Sequence, residues 1–455
     1  MENTEGENQK FLRMTTAPVP GLICRLAVPT IVSMLITAVY NMADTYFVGG
    51  LGISAQGAVG VVFSLMAIIQ AIGFTFGNGA GNTISRLLGQ KENERAEEVA
   101  STGFFYSIAA GLLLTVLGLI FIDPLVRSLG ATDTILPYAR DYARFILLGA
   151  PYMVGSLVLN NLLRFQGSAV YGMVGIAAGA VLNIILDPIF IFVLDLGTGG
   201  AALATIISQL VGFLILLVNC GRGGNIPLRI SRFRWRWSTV GPVLTNGMPS
   251  FYRQGLASVA SILLNLAAKP YGDVVIAAMT IVNRVTMFAG SALVGFGQGF
   301  QPVCGYNYGA ALYHRVREGF WFCVKTAFVV LLCVTALAEF FAPAIVALFQ
   351  KSDPEVILVG ARALRFQMLA LPLTAYVILN NMLMQTAGES LKASVLAMAR
   401  QGLFFIPLIK LLPMALGLTG VVIAQPISDV ATFLLSIPLS VAFFRKMRRL
   451  ERGTL

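Results

Sequence analysis

The chain has 455 residues, 57% hydrophobic and 12% charged, with a mean hydropathy of +0.79 and a formal net charge of +11. Soluble domains carry about 25% charged residues, so half that share over a whole chain excludes an ordinary soluble enzyme and marks a polytopic membrane protein. The basic surplus lies in loops, where it sets membrane orientation rather than binding nucleic acid. The five cysteines are scattered with no CxxC pair, so neither a disulfide framework nor a zinc site is expected.

Residues 1–20 are polar and read as a short cytoplasmic arm. Twelve apolar runs follow, each near the roughly 20 residues that a spanning helix needs: 22–49, 55–80, 98–121, 135–160, 169–194, 200–220, 240–266, 275–300, 319–342, 356–384, 391–412 and 418–444. They are rich in Leu, Ala and Gly and do not alternate, which excludes barrel strands. The expected fold is an all-α polytopic membrane protein of twelve transmembrane helices. Loops holding Lys10, Arg13, Arg86, Lys91, Arg95, Arg164, Arg222, Arg229, Arg232, Arg234, Arg236, Arg315, Arg317 and Arg445 face one side. The positive-inside rule makes that side the cytoplasm and places both termini there.

The chain repeats itself at an offset of 220. Gly77-x-Gly79 matches Gly297-x-Gly299, Leu159-Asn160-Asn161 matches Leu379-Asn380-Asn381, and Arg95 and Glu98 match Arg315 and Glu318. Each repeat holds six spans, an even number, so the two pseudo-symmetric lobes face the same way, related by an axis along the membrane normal. The expected divisions are an arm 1–20, an N-terminal lobe 21–220, an Arg-rich cytoplasmic linker 221–239, a C-terminal lobe 240–444 and a basic tail 445–455. Trp235 and Trp237 would lay the end of the linker along the membrane surface.

Carboxylates inside spans are costly and read as functional by default. Asp44 lies in the first span, in Asn41-Met42-Ala43-Asp44-Thr45-Tyr46-Phe47-Val48-Gly49, just before Gly49-Gly50. Asp187 lies in the fifth, in Asn183-Ile184-Ile185-Leu186-Asp187-Pro188. Asn183 shares its helix face at i, i+4, and Pro188 deprives the helix of one hydrogen bond. Counting from the span ends, Asp44, Asp187 and Thr205 fall about 8–12 Å below the outer surface. Tyr40 and Tyr142 lie in the same half. Two carboxylates with amide and hydroxyl oxygens suit a proton or a hard cation such as Na+. At the repeat offset Asp44 maps to Leu264 and Asp187 to Pro407, so the second lobe lacks this site. It has Arg253, Arg284, Lys325, Arg400 and Asp429 instead; Arg400 and Asp429, mid-span on consecutive helices, are expected to pair. With no Walker motif in the chain, ATP is not the expected energy source.

The twelve spans in two six-helix halves, the Asp within NMADTYFVG and the stretch FGQGFQPVCGYNYGA together resemble the multidrug and toxic compound extrusion (MATE) transporters over nearly the whole length. The branch they resemble is the bacterial and archaeal one whose acid pair lies in the N-terminal lobe. That resemblance implies a cation- or proton-coupling site at Asp44, Asn183, Asp187 and Thr205, with Tyr40, Tyr142, Asn160 and Asn161 toward the substrate cavity. Arg284, read from its place inside a span alone, either lines that cavity or pairs with backbone carbonyls. It implies an inner-membrane antiporter, acting as a monomer without a cofactor, which exports small, mostly cationic amphipathic compounds in exchange for H+ or Na+. Two alternatives differ in what they require. A lipid-linked precursor flippase would need a strongly basic cavity, toward which Arg253, Arg284 and Arg400 point. An intramembrane enzyme would need a nucleophile, base or metal cluster, and the sequence offers none.

Overall fold

The computed structural model describes residues 2–49, 51, 53–349 and 353–453; Gly50 of the Gly49-Gly50 pair lies outside them. The described residues are almost wholly helical and contain no strand. A helix α1 (Glu2–Thr16) precedes the first span. The first half then runs α2 (Val19–Gly49), α3 (Ile53–Gly89), α4 (Asn93–Ile120), the short α5 (Ile122–Ser128), α6 (Leu136–Phe165), α7 (Ala169–Pro188) and α8 (Gly197–Cys220). The second half runs α9 (Trp237–Ala268), α10 (Asp273–Gly309), α11 (Tyr313–Phe349), α12 (Pro354–Thr386), α13 (Ser390–Met398), α14 (Phe405–Leu416) and α15 (Leu418–Glu451). A π-helical turn, Ile189–Val193, prolongs α7, and another, Ala399–Leu403, joins α13 to α14 as one span.

Among the described residues, 11 helices are long and apolar enough to cross a bilayer. The remaining expected span is α9. Its 32 residues extend about 48 Å, beyond the roughly 30 Å of a hydrocarbon core, but Asn246, Arg253 and Gln254 dilute its apolar character. Several helices outrun their apolar stretch, α3 by more than two turns, because backbone hydrogen bonding continues after lipid contact ends.

The helix pairings repeat. In the first half α3 packs on α4 and α6, α6 on α8, α8 on α7, and α7 on α2; in the second, α10 packs on α11 and α12, α12 on α15, α15 on α14, and α13 on α9. Across the halves the partners are exchanged: α2 packs on α10, and α9 on α3. This is the relation that a two-fold axis between two six-helix lobes requires.

The lobes touch closely near the end that carries both termini, the base of the molecule. There glycines let backbones meet: a Cβ on Gly299 would lie 2.5 Å from the Ala27 Cα, and one on Gly295 2.7 Å from the Ile31 Cα. Cβ atoms on Gly79 and Gly247 would overlap the carbonyls of Val243 and Thr75. Gly299, Gly305 and Gly309 of FGQGFQPVCGYNYGA therefore lie inside α10 and help form its half of this seam, whereas Gly297 packs on Met382 of α12. Thr30 Oγ1 donates to the Gly295 carbonyl (2.6 Å), Asn78 Nδ2 to Ser250 (3.0 Å) and Asn246 Nδ2 to Thr83 (3.0 Å). The faces that touch at the base open toward the other end, the mouth. Ile68, two turns before Thr75, and Met42, three turns beyond Ile31, are both exposed although each continues its seam face. The halves thus enclose a cleft that narrows to the base.

Candidate ion and cargo site

The first lobe brings four of the expected residues together. Asp187 sits where α7 meets its π turn. Pro188 supplies no N–H, the Ile189 N–H bonds back to Leu186 O in a tight i→i−3 turn, and the helix then widens into the π turn just after the acid, where the Leu194 N–H bonds Ile189 O. Asn183, one turn earlier, donates through Nδ2 to Asp187 Oδ1 (3.1 Å) and to Thr205 Oγ1 of α8 (3.4 Å). From α6 the Tyr142 hydroxyl donates to Asp44 Oδ2 of α2 (3.4 Å) and also engages Thr205. A chain of polar groups therefore runs from Asp44 through Tyr142, Thr205 and Asn183 to Asp187. Asn183, Asp187, Thr205 and Tyr142 are all buried, and the two carboxylates are close enough to act on each other electrostatically.

The cluster is short of donors. Asp44 Oδ1, Asp187 Oδ2 and Asn183 Oδ1 are buried with no hydrogen-bond partner. Buried polar groups are normally satisfied, and orphans need an explanation. Three orphaned oxygens with a hydroxyl beside them form the donor set of a hard cation, or of a proton shared by two acids. Among the described residues no group of three or more His, Cys, Asp or Glu could hold a metal, so a polycarboxylate or zinc-type centre does not fit.

A small cavity opens beside this cluster, lined by Tyr40, Asn160, Asn183, Thr205, Ser208 and Gln209 with Met66, Ile69 and Met153. Its volume is about 90 Å³, enough for a few waters or part of a compound. Asn160 thus lines the cavity. Asn161 is held elsewhere: its Nδ2 donates to Leu157 O (2.7 Å), and its Oδ1 accepts from Arg164 (2.5 Å). Gln209 was not singled out from the sequence. It engages the Tyr40 hydroxyl, and its place one turn after Thr205 was the available signal.

Arg164 departs from its reading as a loop residue of the basic side. It is 2% exposed, at the end of α6. It donates to Gln298 O (3.2 Å), Gln301 Oε1 (2.8 Å), Asn78 Oδ1 (3.0 Å) and Asn161 Oδ1, and it stacks over Phe165, 4.2 Å from the ring centre. Every acceptor is neutral, and Nε has none. The bonds to Gln298 and Gln301 of α10 tie the first lobe to the second.

In the second lobe Arg400 Nε bonds Asp429 Oδ1 at 2.7 Å, as expected, and Gln425 donates to the same oxygen at 2.8 Å. At the repeat offset Gln425 corresponds to Thr205, Asp429 to Gln209 and Arg400 to Ala180. The pair therefore occupies the second lobe's counterpart of the first-lobe cluster, with the cation supplied by a side chain. Arg284 is exposed and lies on α10 about three turns mouthward of Gly295, on the same helix face.

The sequence profile of the MatE family matches residues 29–189 and 249–410, once in each half. The chain belongs to the MATE family. Two solved MATE structures superpose on it. One, a MATE crystallised in complex with MaL6, gives a TM-score of 0.91 at 29% identity, covering 96% of this chain and 99% of the other. The other, the outward-facing conformation of a multidrug resistance MATE transporter of the MOP superfamily, gives 0.90 at 29%, covering 96% and 98%. The multidrug export protein MepA of Staphylococcus aureus (strain MSSA476) is 28% identical over 435 residues, 94% of this chain and 96% of that one. This MATE chain is accordingly a twelve-helix, multi-pass membrane transporter and not an enzyme.

Proposed function

We propose that the chain, whose relative MepA is named a multidrug export protein, is an inner-membrane antiporter which exports small amphipathic organic compounds in exchange for H+ or Na+. Both termini are read as cytoplasmic, which makes the mouth the outer side. The observation that carries this reading is the trio of buried, unpartnered oxygens on Asp44, Asp187 and Asn183. Bare, the two acids repel each other in a low-dielectric lobe. A proton, or a Na+ ligated by Asp44, Asn183, Asp187 and Thr205, removes that repulsion and satisfies the orphans.

Ion entry from the mouth pulls α2 and α7 together. Pro29 in α2 and the π turn after Asp187 are points where these helices bend with least loss of hydrogen bonding. The repacked lobe narrows the cavity beside Asn183 and Tyr40 and loosens its hold on cargo. Alternating access follows when the seam at the base parts and the mouth closes, releasing the ion inward. The driving force is sufficient: about 2.3 kcal/mol per charge per 100 mV, with about 1.36 kcal/mol per pH unit added for a proton.

The test uses everted vesicles energised separately by a pH gradient and a Na+ gradient. Asp44→Asn and Asp187→Asn each remove a buried charge, so both variants insert and fold but lose gradient-driven accumulation. If either one accumulates compound against a gradient at the wild-type rate, that residue is not the coupling acid.

A further inference from the structure

The cleft between the lobes is electrically lopsided. Behind its first-lobe wall, buried within that lobe, lie the two acids of the ion cluster. At its floor stands Arg253 of α9, half-buried, next in sequence to Gln254, whose Nε2 reaches across to Gln70 Oε1 at 3.3 Å. Arg253 makes no hydrogen bond or ion pair with any described residue. Its charge is close enough to that of Arg164 for the two to repel, and no carboxylate acts on either. Arg164 is itself bound only to neutral acceptors, with one buried N–H left over. Arg284 adds a third unpaired guanidinium on the wall above, on the seam face of α10.

Arginines within spans are rare and normally paired or functional. Arg400 shows how this fold neutralises one when the role is structural: it has Asp429. Arg253 and Arg284 have no such partner, and Arg164 stands behind Arg253 as a second fixed charge. A planar guanidinium at the floor of an apolar-walled cleft matches an acid group, which it can hold through two parallel N–H bonds.

We propose that Arg253, with Arg284 above it, receives the acid group of the cargo, so that the exported compounds are amphipathic organic acids or zwitterions rather than simple organic cations. The walls above the floor carry exposed Ile68 and Met287 for an apolar body. The amine of a zwitterion would face the first lobe. This assignment of cargo class rests on the export reading, whereas the binding site itself does not.

A phosphate on a lipid headgroup has the same chemistry as a free organic acid, and the experiment separates them. Full-length protein in detergent is titrated with a rhodamine bearing a free carboxylate and with its methyl ester, by fluorescence anisotropy. Wild type should bind the acid at least about ten-fold more tightly than the ester, as expected for a charge-assisted hydrogen-bonded contact. Arg253→Gln should abolish that preference and leave ester binding unchanged. Arg253→Lys should keep part of it, and Arg284→Gln should reduce it by a smaller factor. Equal affinity of wild type for the two dyes would overturn the proposal, and so would an equal loss for both in a monodisperse Arg253→Gln protein. In proteoliposomes, Arg253-dependent transfer of labelled phosphatidylglycerol between leaflets would make the ligand a lipid and refute the soluble cargo. Acid-selective binding without gradient-driven uptake of either dye would uphold the site and sink the export reading; gradient-driven uptake of the ester alone would do the reverse.

Discussion

Breaking the Arg400–Asp429 pair from one side gives a quantitative test of how the second lobe is held. The Asp429 side chain is fully buried, while Arg400 keeps 27% of its side chain exposed. Arg400→Gln therefore strands a buried carboxylate with only the amides of Gln425 (2.8 Å) and Gln367 (3.5 Å) as donors. Removing one partner of such a pair costs about 3–5 kcal/mol, and the complete burial of Asp429 puts this variant at the upper end. Asp429→Asn leaves a guanidinium that is only partly buried, so its loss falls near about 3 kcal/mol or below. The double variant Arg400→Gln/Asp429→Asn leaves no stranded charge and should be more stable than Arg400→Gln alone. The interaction energy of the cycle should reach about 1.5 kcal/mol or more. Thermal unfolding of the purified proteins, followed by the monodisperse fraction that survives each temperature, gives the order of the four. Strict additivity would refute the pairing argument. So would an Asp429→Asn protein of wild-type stability that no longer transports, an outcome that makes Asp429 a second coupling acid.

Bulk at the seam should act on conformation rather than on folding. Gly79→Val and Gly247→Val force the base apart, so each should raise the labelling rate of a reporter cysteine placed at the base and lower export; unchanged labelling would show that these backbones need not touch. Glu389, between α12 and α13, is pushed up by burial but pulled down further by hydrogen bonds from Lys446 and Lys392, and it ends below the usual carboxylate range. A depressed carboxylate stabilises above its unfolded-state pKa and stops doing so as pH falls through the folded one. The wild type should therefore unfold later than Glu389→Gln at neutral pH and lose that advantage below about pH 4.5, a difference that a melting series over pH 3–7 would detect.

The spans were legible because lipid-facing stretches must be apolar for their whole length, and α9 was the least plain for the same reason, since Arg253 and Gln254 face the cleft. The acids announced themselves through the cost of burying charge, and the i, i+4 spacing of Asn183 and Asp187 gave their shared face directly. Arg164 was misread because a basic residue at a span end looks like a loop residue until the partner helix is known. Its acceptors Gln298 and Gln301 come from α10, more than a hundred residues away. Gln209 and the different orientations of Asn160 and Asn161 turn on rotations of α8 and α6 that no single-chain spacing fixes. The repeat offset could have flagged Gln209, because Asp429 stands at its counterpart.

The seam at the base has a mechanical consequence. Where Gly79, Gly247, Gly295 and Gly299 meet backbone across the lobes, the contacts are Cα–H groups against carbonyls and neighbouring Cα atoms rather than interlocked side chains. Two such surfaces can slide or part without any rotamer having to unpack first. Many of the carbonyls they expose are already bonded within their own helices, so water entering the gap finds few raw polar groups. The joint works like two smooth plates pressed together and pinned at a few spots by Thr30, Asn78, Asn246, Arg164 and the bonds of Asn82 and Arg86 to Thr386. Its resistance to opening resides in those pins, so changing them one at a time should alter the speed of the cycle while leaving the helices on either side intact.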